Sequence, residues 1–225
     1  MKRNPVLFAV FIAMFFIACS DDTVKKSYWD NGNLKSELRY ADKAKEKLEG
    51  ECQWYYENGK PQLYAEFKDN KMHGHLMRWH ENGNLMEDSW YKEGERDSIC
   101  RSYSLKGILA SEEYYRDGKL NGPATKWYEN GQVFMEGQYV DDMMDGSWMI
   151  FYSDGMLASK ADYDMGTGTQ IGYEQSGYIC MRTSYVDNVK HGKETYYNPD
   201  GSIIKETIYE YGEEQETVFF DEVKK

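Results

Sequence analysis

Aliphatic residues, cysteine and histidine are all scarce in this 225-residue chain, and each scarcity removes a class of explanation. The length would allow one or two globular domains with a sizeable core. With so few aliphatic side chains, packed helices are a poor expectation. The four cysteines, Cys19, Cys52, Cys100 and Cys180, contain no Cys-x-x-Cys pair and so carry no zinc or dithiol signature. Three remain after Cys19, an odd number, which limits an oxidised chain to one bridge. Gly-x-Ser-x-Gly, phosphate-loop and dinucleotide-binding fingerprints are absent. What is abundant is Tyr (20), Gly (20), Phe (9) and Trp (6), a balance that suits turn-rich β structure.

One long apolar run occurs, from Val6 to Ala18, preceded by Lys2 and Arg3 and followed by Cys19. A membrane-spanning helix needs ~20 apolar residues, so this run is short for a span. Its basic start, apolar centre and small residue before the cut are those of a secretory signal peptide. Phe16-Ile17-Ala18-Cys19 resembles a bacterial lipobox, with Phe16 where Leu is usual. That resemblance implies that Cys19 becomes the lipidated first residue of the mature chain. Ordinary secretion with cleavage near Ala18, or an uncleaved anchor, are the alternatives. Ser20-Asp21-Asp22 reads either as a signal for display on the outer cell surface or as a solvated linker. Loss of Lys2 and Arg3 would move the formal charge from −12 to −14, with 25 basic against 39 acidic residues. Such a surface repels nucleic acid and anionic lipid, and the membrane is expected to be engaged through the lipid anchor only.

The body of the chain is periodic. Glycines that mark a common turn stand at positions 32, 59, 83, 107, 131, 155, 177 and 201, with steps of 27, 24, 24, 24, 24, 22 and 24. A fixed period of this size signals a repeat array. Four residues before each glycine every copy is aromatic: Tyr28, Tyr55, Trp79, Tyr103, Trp127, Phe151, Tyr173 and Tyr197. Eight residues after it every copy is aromatic again: Tyr40, Phe67, Tyr91, Tyr115, Tyr139, Tyr163, Tyr185 and Tyr209. The column two residues after is Leu, Val or Ile, with Pro61 as its outlier.

Segments such as Glu57-Asn58-Gly59 suit a three-residue hairpin loop ending on a left-handed glycine. In that loop the −4 and +2 positions oppose each other, and the +8 aromatic is expected to share their face, so that all three apolar columns line one side. A two-residue Asn-Gly loop would reverse the −4 column. A second turn is expected near +11, where Gly94, Gly118, Gly166 and Gly212 alternate with Asn70, Asp142 and Asn188, all tolerant of positive φ. Another glycine often follows at +15, as in Gly74, Gly122, Gly146 and Gly192.

Trp127-Tyr-Glu-Asn-Gly131, Glu136-Gly-Gln-Tyr139 and Asp145-Gly146 resemble the MORN repeat, in the bacterial variant of YwqK-type proteins labelled as toxin–antitoxin antitoxins. The similarity covers about residues 26 to 216. It implies an all-β fold, an elongated single twisted sheet of about eight consecutive antiparallel β-hairpins, and says little about function. The domain reading is a signal peptide at 1–18, an anchor linker at 19–26, the repeat array at 27–216 and a tail or polar cap at 217–225. Two places depart from the period. Around Asp42 to Leu48 the first copy has three extra residues of helix-prone composition, a cap or a loose loop; the stretch Asp164 to Gly172 reads as a decayed repeat, with a ligand loop as the lesser alternative.

Candidate chemistry is thin. His73, His75 and His80 could gather on one surface for a metal, yet His73 and His191 share one repeat position, which points to a structural role. Carboxylates recur at +5 (Glu37, Asp88, Glu112, Glu136 and Glu206) as a row on an open sheet, with cross-strand ion pairs rather than a hydrolytic pair across a cleft. Asp141 to Asp145 lacks the alternating ligands of a calcium loop. Cys52 and Cys100 sit two repeats apart, roughly 19 Å at the spacing of strands, and are not expected to pair. No catalytic residue, metal or cofactor is assigned. Large residues outside the apolar columns, Trp54, Trp90, Tyr114, Phe134 and Trp148, are too many for all to be covered on a single sheet. The function expected is a non-enzymatic, lipid-anchored scaffold of the cell envelope that binds a protein or glycan. The alternative is an immunity protein or antitoxin that occludes a basic toxin.

Overall fold

The computed structural model describes residues 22–220; the apolar run, Cys19 and the last five residues lie outside it. Seventeen antiparallel strands form one sheet, from β1 (Val24–Tyr28) and β2 (Leu34–Arg39) to β16 (Ile203–Glu210) and β17 (Glu213–Phe219). The observed pairings join each strand to its chain neighbours, giving a meander of hairpins roughly 77 Å across at the usual strand spacing. The expected all-β array is therefore observed. Its strands take in three residues of the expected linker and three of the expected tail.

The first turn has the expected three-residue geometry in all eight copies. In the second copy the Tyr56 N–H donates to the Lys60 carbonyl and the Gly59 N–H to the Tyr56 carbonyl, both at 2.9 Å, and Gly59 has φ +81°. Tyr55 pairs with Pro61, Trp79 with Leu85 and Trp127 with Val133, so −4 faces +2 as expected.

The +8 column does not share their face. In the second hairpin, β3 (Gly50–Tyr55) and β4 (Pro61–Lys68), the register shifts between Trp54 and Tyr55, and from there the pairs run Trp54–Leu63, Cys52–Ala65 and Gly50–Phe67. The extra residue opposite the −5/−4 step is a bulge, and a one-residue slip exchanges faces. Positions −5, −7, +4, +6 and +8 thus lie on one face, called here the packed face, while −4, −6, +2, +5 and +7 lie on the other, the open face.

Nearly every buried side chain belongs to the packed face: Cys52, Ala65, Leu76, Cys100, Ala124, Trp148 and Ala161 at −7 or +6, with Thr195 the exception. Among the described residues no second layer covers them. Small residues there, such as Ala124 at −7 and Ala161 at +6, pack with large neighbours at +4, +8 and −11 within the same face. The tightest such cluster joins Ala124, Trp148, Ala161 and Tyr163, with Met135, Tyr139, Met144 and Tyr185 packed around it. Tyr139 meets Trp148 edge-on at 4.8 Å.

The second turns are two-residue loops with positive φ at both positions, as in Asp69-Asn70 (49° and 67°) and Asp117-Gly118 (48° and 81°), the mirror-image turns that match the twist of a hairpin. Asp164 to Gly172 proves regular: Met165-Gly166 makes the same turn (45° and 79°). What the shorter step lacks is a bulge. In five other hairpins the strand after the second turn carries two extra residues, as where Ala65 and Phe67 face Leu76 and Met72, whereas β12 (Leu157–Asp164) and β13 (Thr167–Tyr173) pair one to one. Removal of two residues keeps every side chain on its face. Asp42 to Leu48 forms a looped turn, not a helix.

Candidate binding surface

A single-layer sheet offers two faces and two edges, and side chains of different chemistry occupy each. On the open face the sequence-predicted aromatics of the −4 column lie half-buried against their +2 partners, with Tyr28 exposed in the end hairpin. The +5 carboxylates form cross-strand pairs: Glu37 with Lys26 at 2.9 Å, Glu112 with Arg101 at 2.7 Å and Glu206 with Lys193 at 3.1 Å.

The most exposed large aromatic away from the ends of this face is Trp90, at 44%. β5 (Lys71–Trp79) and β6 (Leu85–Lys92) place His75 directly opposite it, and the two rings stack at 4.7 Å with an interplanar angle of 15°. The His75 Nε2 lies 2.6 Å from Asp88 Oδ1, and Tyr64 approaches the imidazole edge-on at 6.1 Å. The Tyr64 hydroxyl donates to Glu66 at 3.0 Å; burial, with the Glu66 carboxylate beside it, raises its pKa far above the ordinary phenol value. Together these residues form a flat aromatic stack edged by acceptors, suited to a sugar ring, a peptide aromatic or a guanidinium group.

The three histidines do not converge. His73 and His75 flank Gly74, which sits in a bulge with φ +115°. His73 Nδ1 accepts the Glu93 N–H, as His191 Nδ1 accepts that of Tyr211 twenty residues on, so the shared repeat position has a shared structural task. His80 contacts the Tyr103 carbonyl at 3.3 Å. The carboxylates of Asp141 to Asp145 are likewise engaged in turns: Asp142 accepts the Leu120 N–H at 2.8 Å and Asp145 that of Met165 at 3.3 Å.

The packed face offers a shallow apolar hollow of about 150 Å³ over Met135, Met144, Trp148, Ile150, Tyr163 and Tyr185. Trp148, expected among the surplus surface aromatics, is only 4% exposed and forms its floor. Trp54 and Tyr114 are half-buried; Trp90 and Phe134 are exposed. Cys52, Cys100 and Cys180 are free, and burial pushes the Cys100 thiol up to about 11, which leaves little thiolate at neutral pH.

Sequence reading missed a column at −3 that binds each repeat to the next. Tyr56, Tyr128 and Tyr152 donate their hydroxyls to the carbonyls of Trp79, Phe151 and Tyr173 at 2.7–2.8 Å, and the Trp29 indole N–H does the same to Tyr55. Next to it, Asn31, Asn58, Asn82 and Asn130 donate side-chain amides to carbonyls in the following turn. Recurrence of hydrogen-bond donors beside the aromatic column was the available signal.

Five segments of the chain, residues 22–42, 48–69, 120–141, 144–165 and 190–211, match the MORN repeat variant family. No curated protein matches the chain. Residues 70–119 and 166–189 fall between the matched segments and form the same hairpins, so the repeat geometry runs on where the sequence likeness fades.

Proposed function

We propose that this chain is a non-catalytic scaffold of the cell envelope, held to a membrane by lipid on Cys19, that binds a protein or glycan on its open sheet. The observation that carries the reading is the Trp90–His75 stack: a large aromatic surface held rigid by a neighbouring ring and a carboxylate, yet left open to solvent. Aromatic residues that remain exposed on a stiff scaffold commonly mark recognition surfaces. The match to MORN repeats supports a repeat-type binding scaffold, and the formal charge of −12 favours basic or neutral partners over anionic ones.

Affinity capture with mass spectrometry from intact cells expressing the full chain tests this. A partner retained by the native chain and lost with Trp90→Ala is the expected result. Failure to retain any protein or envelope glycan across several salt conditions would overturn it, and recovery of a basic toxin would move the reading to immunity.

A further inference from the structure

The hairpin of β12 and β13, where the period shortens to 22 residues, borders the hollow on the packed face. β12 contributes Ser159, Ala161 and Tyr163 to the lining, and β13 contributes Gln170. Without the bulge the two strands lie flush, and Tyr163 pairs with a glycine, Gly168. A Cβ on Gly168 would lie 2.9 Å from the Tyr163 ring, so the tyrosine rests against bare backbone. Trp148, from the strand before, closes the floor.

The +8 tyrosines of the last three copies differ in what their hydroxyls meet. Tyr185 donates to Gln170 at 3.0 Å and Tyr209 to Glu194 at 3.3 Å, in each case the −7 residue of the same copy. For Tyr163 the −7 residue is Trp148, whose ring offers no acceptor and whose N–H is spent on the Gln138 carbonyl at 3.1 Å. The Tyr163 hydroxyl therefore has no partner among the described residues, although the residue is only 7% exposed. It is not sealed off, and the residue lines the hollow, so the hollow is where a partner for it would sit. Burial, with Tyr185 edge-on at 5.9 Å, raises its pKa above the ordinary phenol value, which keeps the proton available for donation. A second donor stands close by: Ser159 accepts from the Gln170 amide at 2.8 Å, and its own O–H has no acceptor among the described residues.

We propose that this hollow binds a small neutral molecule built on one aromatic ring, with the ring over Trp148 and an acceptor oxygen on the Tyr163 hydroxyl. Apolar walls with one or two convergent polar groups are the usual form of a small-molecule site. The volume of about 150 Å³ is that of a cavity which takes a single benzene ring. Trp148 and Tyr185 offer ring faces and edges, and the flexible thioethers of Met135 and Met144 adapt to an aromatic guest. No charged side chain lines the hollow, so an ion of either sign would shed its water there without a counter-charge. Both free protons are donors, so the guest supplies an acceptor such as a carbonyl. This site lies on the face opposite the Trp90–His75 stack and does not depend on the reading of that stack or of Cys19.

The full chain as cells process it, isotopically labelled at its methionine methyls and titrated with acetophenone, tests this by NMR. Saturable shifts of the Met135 and Met144 methyls are expected, with the Met77 methyl, on the open face, unmoved. Tyr163→Phe removes only a hydroxyl that has no partner, so the fold is kept. It should weaken acetophenone roughly three- to tenfold and leave ethylbenzene, a ring of similar shape without an acceptor, unchanged. Trp90→Ala should alter neither titration. Absence of saturable shifts at Met135 and Met144 would overturn the site. An unchanged acetophenone midpoint in Tyr163→Phe, or equal weakening of both compounds, would overturn the hydrogen bond that selects the guest. Each of these failures leaves the Trp90 surface standing.

Discussion

The packed face around Trp148 and the packed face around Glu194 occupy the same columns of the same sheet and are built from opposite materials. In the first, Ala124, Trp148, Ala161 and Tyr163 form a continuous apolar cluster. In the second, Glu194 takes the column of Trp148 and is almost fully buried, with Lys190 beside it and hydrogen bonds from Thr183 at 3.1 Å and Tyr209 at 3.3 Å. A third segment repeats the ionic solution: Arg96 donates to the buried Glu87 at 2.9 Å and lies over the Tyr115 ring. With no opposing layer to fill, each segment satisfies only its immediate neighbours along the face, and repeat backbones tolerate either chemistry so long as the polar set is complete.

The apolar segment is the one that depends on fit. A Cβ added at Gly137 would lie 2.2 Å from the Trp148 ring, so this glycine stands at +6 because the tryptophan next to it occupies the space that a side chain would need. Trp148→Ala should have the largest effect of any single substitution on the array, about 3 kcal/mol or more in chemical denaturation, since it empties the centre of the cluster. Gly137→Val should cost about 2–3 kcal/mol by overpacking. The two combined should cost less than the sum, because the valine enters the volume that the indole leaves; simple additivity would show that the pair does not compete for one space.

Much of this design was legible in the sequence, and the unread part has a definite cause. The eight turns, the pairing of −4 with +2 and the positive φ of the second turns follow from glycine, asparagine and aspartate at fixed spacing. The face of the +8 aromatics does not, because the bulge at the −5/−4 step leaves no residue signature. The −7 column reads Cys, Leu, Cys, Ala, Trp, Gln, Glu, and so presents no hydrophobic stripe although it is the core. For the same reason Trp148 reads as surplus and Trp90 does not stand out from it; only the face to which each belongs separates a core residue from a surface one.

The ionic segment should respond to pH where the apolar one does not. Burial alone pushes the Glu194 carboxyl up, but Lys190, Thr183 and Tyr209 together outweigh it and hold the group below the usual carboxylate range. A carboxylate depressed in the fold stabilises it fully above its unfolded pKa of about 4.3 and loses that contribution as pH falls through the lower folded value. Glu194→Gln should therefore cost roughly 2 kcal/mol at pH 7 and progressively less below pH ~4, where native chain and variant converge. A cost independent of pH would assign Glu194 a packing role alone. Tyr128→Phe, which removes one inter-repeat donor to the Phe151 carbonyl and belongs to neither segment, should cost about 1 kcal/mol at every pH.

The smallest effect expected is a gain. The bulge that follows five of the second turns places a residue at positive φ: a glycine at +65° to +123° in the third, fifth, sixth and eighth strand pairs, at Gly74, Gly122, Gly146 and Gly192, and Ser98 at +72° in the fourth. A left-handed serine is strained by an amount of order 1 kcal/mol or more, while glycine in its place adds chain entropy to the unfolded state of 0.5–1 kcal/mol, roughly. Ser98→Gly should then stabilise the chain by roughly 0.5 kcal/mol, read as a higher denaturant midpoint with unchanged slope. Because Ser98 lies in the hairpin between Arg96 and Cys100, the gain should appear in the ionic segment around Glu87 and leave the Trp148 cluster untouched, as residue-resolved hydrogen exchange would report. A uniform gain along all seventeen strands would mean that the two kinds of core unfold as one unit, and that the sheet couples them more tightly than nearest-neighbour contact allows.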